Sequence, residues 1–295
     1  MIKILLTGAN GQLGKSLSQF IKQNTLNKIK LYSYNSFELD IRDTNFFFKC
    51  IKECSPDFIL NCAAMTNVDF SEGNPELSNE INAFSIQRII EKIDNNKKLF
   101  NILPCLIQIS TDFVFDGVKG RYSSNSITNP INNYGKSKEL AENIIINSNL
   151  NWYILRVGGL YSNISSNNFF SWVVNSLEQN KKIDVVDDQI SNPVSTFDLS
   201  HFIFNNVIIK KNSIKPKSIY HVGSEEEISR YDFALKIAKA NNLNLSNIKR
   251  ISTKELMTKN PNLIARRPYN SSLLIEDKGF KKYYIDDSIN FILQR

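Results

Sequence analysis

The sequence predicts an α/β fold: a doubly wound parallel sheet with a smaller C-terminal part. Three observations point there. The apolar run Ile2-Lys3-Ile4-Leu5-Leu6 empties into Gly8, Gly11 and Gly14 and then into an amphipathic pattern. Short apolar runs alternate with helical patterns through the first half, and the alternation loosens after Arg156. Strands are expected at 2–7, 29–34, 58–62, 104–109 and 151–157, and helices near 11–24, 43–54, 76–96 and 134–148. In the first helix Leu13, Leu17, Phe20 and Ile21 fall on one face and are assigned to the core. Segments 161–168 and 187–196 are polar and loop-like. A strand at 219–222 and helices near 229–242 and 252–259 follow.

The first turn carries the strongest local signal. In Thr7-Gly-Ala-Asn-Gly-Gln-Leu-Gly14, Gly8 permits a tight turn and Gly11 lets backbone approach a pyrophosphate. Gly14 lets the helix pack closely, with its N-terminal N–H groups aimed at phosphate. Strand before and helix after is the context this pattern requires. Gly8, Asn10, Gly11, Gln12, Leu13 and Gly14 are therefore candidate cofactor contacts in a Rossmann-like fold. Residues 1–160 are read as the dinucleotide-binding domain. Residues 161–295 are read as mainly a substrate-binding part, with some segments returning to the first domain. The Gly-x-x-Gly-x-x-Gly spacing resembles the extended short-chain dehydrogenase/reductase superfamily.

Bulk properties exclude several classes. A chain of 295 residues, 42% hydrophobic and 22% charged, can bury a large core. No apolar stretch approaches the ~20 residues needed to span a bilayer. The N-terminus enters a strand at once, so a cytoplasmic protein without a signal peptide is expected. Net charge is +7, but lysine pairs at 97–98, 181–182, 210–211 and 281–282 are scattered. That argues against a nucleic-acid face, although a positive surface helps attract a dianionic nucleotide. Cys62 and Cys105 lie in apolar runs and are expected to be buried, while Cys50 and Cys54 share a helix face with no histidine to complete a metal site. All four are read as reduced and structural.

Chemistry enters with Tyr134-Gly-Lys-Ser-Lys138, which puts a phenol and an ammonium four apart on one helix face. A nearby lysine favours phenolate, so the tyrosine's pKa is expected to fall. Thr111 lies where the apolar strand 104–109 ends and would present its hydroxyl at the top of the sheet. There it could hydrogen-bond the substrate oxygen that Tyr134 protonates. His201 and His221 fall in neither cluster.

Several segments, in order, resemble the dTDP-4-dehydrorhamnose reductase family: Asn61 to Asp69, Ser110 to Gly117, Asn133 to Lys138, Asn168-Phe169, Asp188-Gln189 with Pro193, Asp198-Leu199, Tyr220-His-Val, and Ala265 to Ser271. The resemblance implies hydride delivery from a nicotinamide to C4 of a nucleotide-linked 4-keto-6-deoxy sugar. Tyr134 would be the general acid, Lys138 would hold the nicotinamide ribose, and Thr111 would orient the carbonyl. Asn61, Ala63, Ala64 and Thr66 would line the cofactor, and Asp40-Ile41 would meet the adenine. Thr66, Val68, Asp69, Thr111, Asn168, Gln189 and Arg267 would meet the sugar nucleotide; the planar fork of Arg267 also suits a diphosphate. Some members of that family form homodimers around magnesium, but no carboxylate cluster here can be assigned to it.

Three departures stand out. Gly159 occupies a position where the family commonly has a sugar-contacting tryptophan, which opens the sugar's identity but not the reaction class. Ser124 and Asn125 stand where acidic residues are usual and read as a surface change. The second strand ends in Asn35-Ser36 with no acid to repel a 2′-phosphate, and no phosphate-binding arginine is evident unless Arg42 folds back. NADPH is favoured, with NADH tolerated. A 4,6-dehydratase would carry Asp-Glu after the threonine; here Phe113 follows Asp112. An epimerase, or a reductase on another deoxysugar, stays open. A non-catalytic branch resembling the regulatory subunit of methionine adenosyltransferase is the rival of another class.

Overall fold

The computed structural model describes residues 1–24, 28–165, 167–209, 215–262, 264–276 and 279–294. Lysines 210–211 and Ser166 of the polar loop lie outside these residues. Six strands form one parallel sheet: β1 (Ile2–Thr7), β2 (Ile29–Tyr34), β3 (Phe58–Asn61), β4 (Cys105–Thr111), β5 (Trp152–Val157) and β6 (Ser218–Val222). Their spatial order is β6-β5-β4-β3-β1-β2. The chain leaves β1 toward β2 and then crosses back to β3. That reversal opens a crevice at the carboxyl ends of β1 and β3, where open α/β sheets take their ligands.

Helices cover both faces. On one, α1 (Gln12–Asn24) buries Leu13, Leu17, Phe20 and Ile21 against the sheet and against α6 (Thr196–Phe202), as the helical spacing predicts. On the other lie α2 (Thr44–Cys54) and α3 (Ser85–Asn95), with Phe47, Ile51, Ile86, Ile89 and Ile93 inward. Each such side chain contributes roughly 1.5–3 kcal/mol on leaving water. A third apolar cluster lies under α5 (Phe169–Glu178), α7 (Arg230–Ala240) and α8 (Ile285–Leu293), beside a small sheet of Ile183–Val186 and Ile248–Ile251.

The structure corrects several expectations. Strand β4 runs two residues past its expected end, so Thr111 is its last residue. The expected helix at 76–96 is broken into Pro75–Asn79, a π-helical turn Glu80–Phe84, and α3. That turn aims the buried Asn82 amide at Met65, whose N–H and carbonyl it bridges at 2.8 and 3.0 Å. Segments 161–168 and 187–196 are not pure loop: Leu160–Tyr161 pairs with Val194–Ser195, and Ile190–Ser191 pairs with Ile228–Ser229.

Candidate active site

Each element contributes its side chains by local rules. Gly8 has φ +67°, and a Cβ there would stand 2.7 Å from the backbone of Cys62 and Ala63. At Gly14 a Cβ would stand 2.3 Å from the Gly8 carbonyl, so only glycine lets α1 close onto its own turn. The helix N-terminus is thereby held beside the ends of β1 and β3. Gly11, Gln12, Leu13 and Gly14 line the resulting cleft, whose volume is about 470 Å³. A glycine-lined turn with a helix N-terminus facing open space fits a pyrophosphate. Gln12 also reaches across the cleft to the Leu160 carbonyl, at 3.4 Å.

The floor is polar, and its amides are paired across the strands. Thr7 donates to Asn61 Oδ1 at 2.6 Å, and Asn61 Nδ2 donates to Gln108 Oε1 at 2.9 Å. Asn61 thus lines the cleft with its amide committed to neighbouring strands. Behind β4, Glu142 on α4 (Asn133–Ile146) receives Arg156 Nη2 at 2.6 Å and the Ser110 hydroxyl. Arg156 also donates to the Ser124 carbonyl at 3.2 Å, and Ser124 donates to Glu276 at 2.7 Å. Ser124 is half-buried and joined through its carbonyl to the buried Arg156–Glu142 pair, whereas Asn125 is exposed.

Thr111, Tyr134 and Lys138 converge at this floor. The Thr111 hydroxyl donates to Asp112 Oδ1 at 3.1 Å, accepts from the Phe113 N–H at 3.2 Å, and is hydrogen-bonded to the Tyr134 phenol. Asn132 caps α4 by accepting from the Gly135 N–H at 2.8 Å, which sets where Tyr134 and Lys138 start. The Lys138 ammonium donates to the Ile109 carbonyl at 2.7 Å. Burial pushes Lys138 down to about 8, opposed by the charge of Glu142.

The phenol departs from its sequence expectation. Burial pushes Tyr134 up to about 12, the Thr111 hydrogen bond offsets part of this, and the Asp112 charge adds to the rise. Tyr134 is held as a neutral phenol, and Lys138 does not lower it in this state. Asp112 is itself raised by burial to about 6, against hydrogen bonds from Ser271 and Thr111. Ser271 belongs to a segment tied across the site, in which Asn132 Nδ2 donates to the Arg266 carbonyl at 2.9 Å and the Asn270 N–H donates to the Gly117 carbonyl at 2.8 Å.

Other candidates separate. Ala64, Thr66, Val68 and Asn168 line the same cleft. Asn168 is also the N-cap of α5, accepting from the Ser171 N–H at 3.2 Å. Asp69 and Arg267 meet each other: Arg267 forks onto the carboxylate, with Nη1 at 3.1 Å from Oδ1. Gln189 is buried and donates to Thr253 Oγ1 at 2.9 Å. Asp40 takes Arg42 at 2.6 Å, so that arginine folds back onto the acid, and Ile41 is buried in the layer of α2 and α3. Asn10 faces an outer groove shared with Lys15, Lys22 and Ser33. The N–H of Ala63 approaches the Thr7 hydroxyl at 3.4 Å. Cys62 and Cys105 are half-buried rather than buried, and Cys62 lines the cleft.

Sequence reasoning missed Arg230. It lines the cleft with its guanidinium 5.3 Å from the Phe169 ring, and the charge of Asp112 faces it. The available signal was Ser229, which caps α7 by accepting from the Asp232 N–H at 3.0 Å and so puts Arg230 at the helix start. Phe113 was missed as well; it meets the Tyr134 ring edge-on at 6.2 Å. Among the described residues, no group of three or more His, Cys, Asp or Glu side chains could hold a metal ion, and no helix is long and apolar enough to cross a membrane.

The chain resembles known proteins over nearly its whole length. The chain is 31% identical to dTDP-4-dehydrorhamnose reductase of Aggregatibacter actinomycetemcomitans, over 92% of this chain and 90% of that protein. It is 27% identical to methionine adenosyltransferase 2 subunit beta of Bos taurus, over 92% and 80% respectively. Its structure superposes on that of dTDP-4-dehydrorhamnose reductase from Bacillus anthracis in complex with NADP with a TM-score of 0.87, at 28% identity and covering 100% and 99% of the two chains. The RmlD substrate binding domain model matches residues 2–283. With a six-stranded parallel Rossmann-like sheet and a shared length nearly end to end, the chain belongs to the RmlD substrate binding domain family.

Proposed function

We propose that this protein reduces the C4 keto group of a nucleotide-linked 4-keto-6-deoxy sugar, dTDP-4-dehydrorhamnose to dTDP-L-rhamnose being the preferred assignment. The convergence of Thr111, Tyr134 and Lys138 on the floor of a cleft that starts at the glycine turn carries this reading. A reduced nicotinamide, when bound, supplies the hydride. The chain's own groups supply the rest. Tyr134, neutral near physiological pH, gives its phenolic proton to the oxygen that gains charge, and Thr111 orients that oxygen. Lys138 is the cation on the same helix face that offsets the phenolate left behind. Arg230 provides a fixed positive charge at the cleft for a diphosphate. Arg42 neutralising Asp40 favours NADPH, against the Glu38 carboxylate that accepts from the Asn35 N–H at 2.9 Å at the end of β2. Residues 1–160 would hold the cofactor and 161–295 most of the sugar nucleotide.

The test is loss of reduced-cofactor absorbance with dTDP-6-deoxy-L-lyxo-4-hexulose, run with NADPH and NADH in parallel. Tyr134→Phe should lower turnover by roughly 10²–10⁴-fold with cofactor affinity retained. Unchanged turnover in that variant would overturn the assignment of the acid. A non-catalytic role is the second reading, favoured by similarity to the methionine adenosyltransferase subunit. It predicts no turnover of any 4-keto nucleotide sugar by protein that binds cofactor.

A further inference from the structure

Thr111 has to orient the reacting carbonyl, yet its hydroxyl is already committed. A hydroxyl carries one proton and two lone pairs. The proton goes to Asp112 Oδ1 at 3.1 Å, the Phe113 N–H is accepted at 3.2 Å, and the Tyr134 phenol meets the same oxygen. A ketone oxygen can only accept. With Asp112 ionised, Thr111 has no proton to offer it.

The other carboxyl oxygen shows how that proton is freed. Asp112 is buried, and the Ser271 hydroxyl donates to its Oδ2. A carboxyl proton therefore sits on Oδ1, the oxygen facing Thr111. From there it donates to Thr111 Oγ1, which turns from donor to acceptor on that side. The Thr111 and Tyr134 protons are then both left for the cleft that these residues line. Two donors stabilise the charge that a ketone oxygen gains better than one does. Burial favours the neutral acid, lifting Asp112 to about 6. Arg230 on α7 and Tyr134 on α4 are the ionisable groups that face it, and Tyr134 stays neutral through this range.

We infer that Asp112 is a positioning residue for the reduction: protonated on Oδ1, its carboxyl turns the Thr111 hydroxyl onto the substrate's keto oxygen. This role rests on the reductase reading above. Difference infrared spectroscopy of the free protein against Asp112→Asn reads the carboxyl, and single-turnover NADPH oxidation reads the chemistry. The band of the protonated carboxyl should vanish as pH rises through about 6. Hydride transfer should slow with it, by roughly tenfold between pH 6 and 7.5. In Asp112→Asn an amide N–H replaces the carboxyl proton toward Thr111, so the rate should lose that dependence and exceed wild type at pH 7.5. Ser271→Ala removes a hydrogen bond that favours the carboxylate, so band and rate should move to higher pH together. NADPH affinity, read by cofactor fluorescence, should follow neither. A carboxyl ionised throughout pH 4.5–8 overturns the inference. So does an Asp112→Asn rate that keeps the wild-type pH dependence or is lower at every pH. If the band titrates as expected but no 4-keto nucleotide sugar is reduced at any pH, the reductase reading itself falls and takes this role with it.

Discussion

Replacing Glu142 by leucine should be among the most damaging single changes outside the cleft. Glu142 and Arg156 are 2% and 3% exposed, and the guanidinium holds the carboxylate through contacts of 2.6, 3.0 and 3.2 Å. Without Glu142, the contacts left to Arg156 among the described residues are the Ser124 carbonyl at 3.2 Å and the face of Phe115 at 5.1 Å. An unpaired buried charge of this kind costs about 3–5 kcal/mol. The Ser110 hydroxyl loses its acceptor as well, adding about 1 kcal/mol. At roughly 2 °C per kcal/mol for a chain of this size, the melting temperature should fall by ~8–12 °C. Equilibrium urea unfolding and calorimetry at pH 7.5 measure this directly. The double variant Glu142→Leu/Arg156→Met removes both charges and should return to within about 1 kcal/mol of wild type, or exceed it. A loss below 1 kcal/mol in the single variant would refute the reasoning, as would a double variant worse than the two singles combined. The double variant also isolates an electrostatic effect. Glu142 supports the Lys138 ammonium against burial, so its removal should carry Lys138 below about 8 and move the alkaline limb of NADPH oxidation to lower pH.

Two further outcomes follow from the same site. Burial raises Asp112 from 3.8 to about 6, so the native state keeps a proton that the unfolded state has released between those values. Its stability contribution is present below pH 3.8 and lost as pH rises through about 6. Asp112→Asn should therefore gain stability relative to wild type between pH 4.5 and 7.5, by at most roughly 3 kcal/mol; a gap in urea midpoints that does not change with pH would contradict this. Gly14→Ala forces a Cβ to within 2.3 Å of the Gly8 carbonyl and should cost about 1–3 kcal/mol while weakening NADPH binding, read by cofactor fluorescence. Gly11→Ala, with its nearest contact at 3.2 Å, should disturb stability far less, and equal losses in the two variants would refute the packing argument.

What the sequence disclosed was local. The strand, glycine turn and helix at 2–24 carry their own punctuation, and Leu13, Leu17, Phe20 and Ile21 stand on the predicted face. Thr111, Tyr134 and Lys138 could be singled out because each sits at a strand end or in the first turns of a capped helix, positions the chain marks by itself. Pairings across the fold were not marked. Asp69 and Arg267, each expected at the ligand, lie 198 residues apart in sequence, and their pairing with one another was not legible. Gln189 meets Thr253 in the same way. The direction of the Tyr134 shift was misjudged because a Tyr–Lys spacing reveals charge but not burial. Helix α5 was unread because Phe169, Phe170, Trp172, Val173 and Val174 are apolar around most of its circumference, leaving little periodicity.

The tie between Ser271 and Asp112 also sets a clock for synthesis. The two residues are 159 positions apart, and at roughly 5–20 residues per second a ribosome needs about 8–30 s to deliver the second after the first. Once residue 138 is added, and until Ser271 follows, a nascent chain carries Thr111, Tyr134 and Lys138 but lacks the hydroxyl that fixes the neighbouring carboxyl. The half-made protein can thus take shape around its sheet while its chemistry stays unassembled.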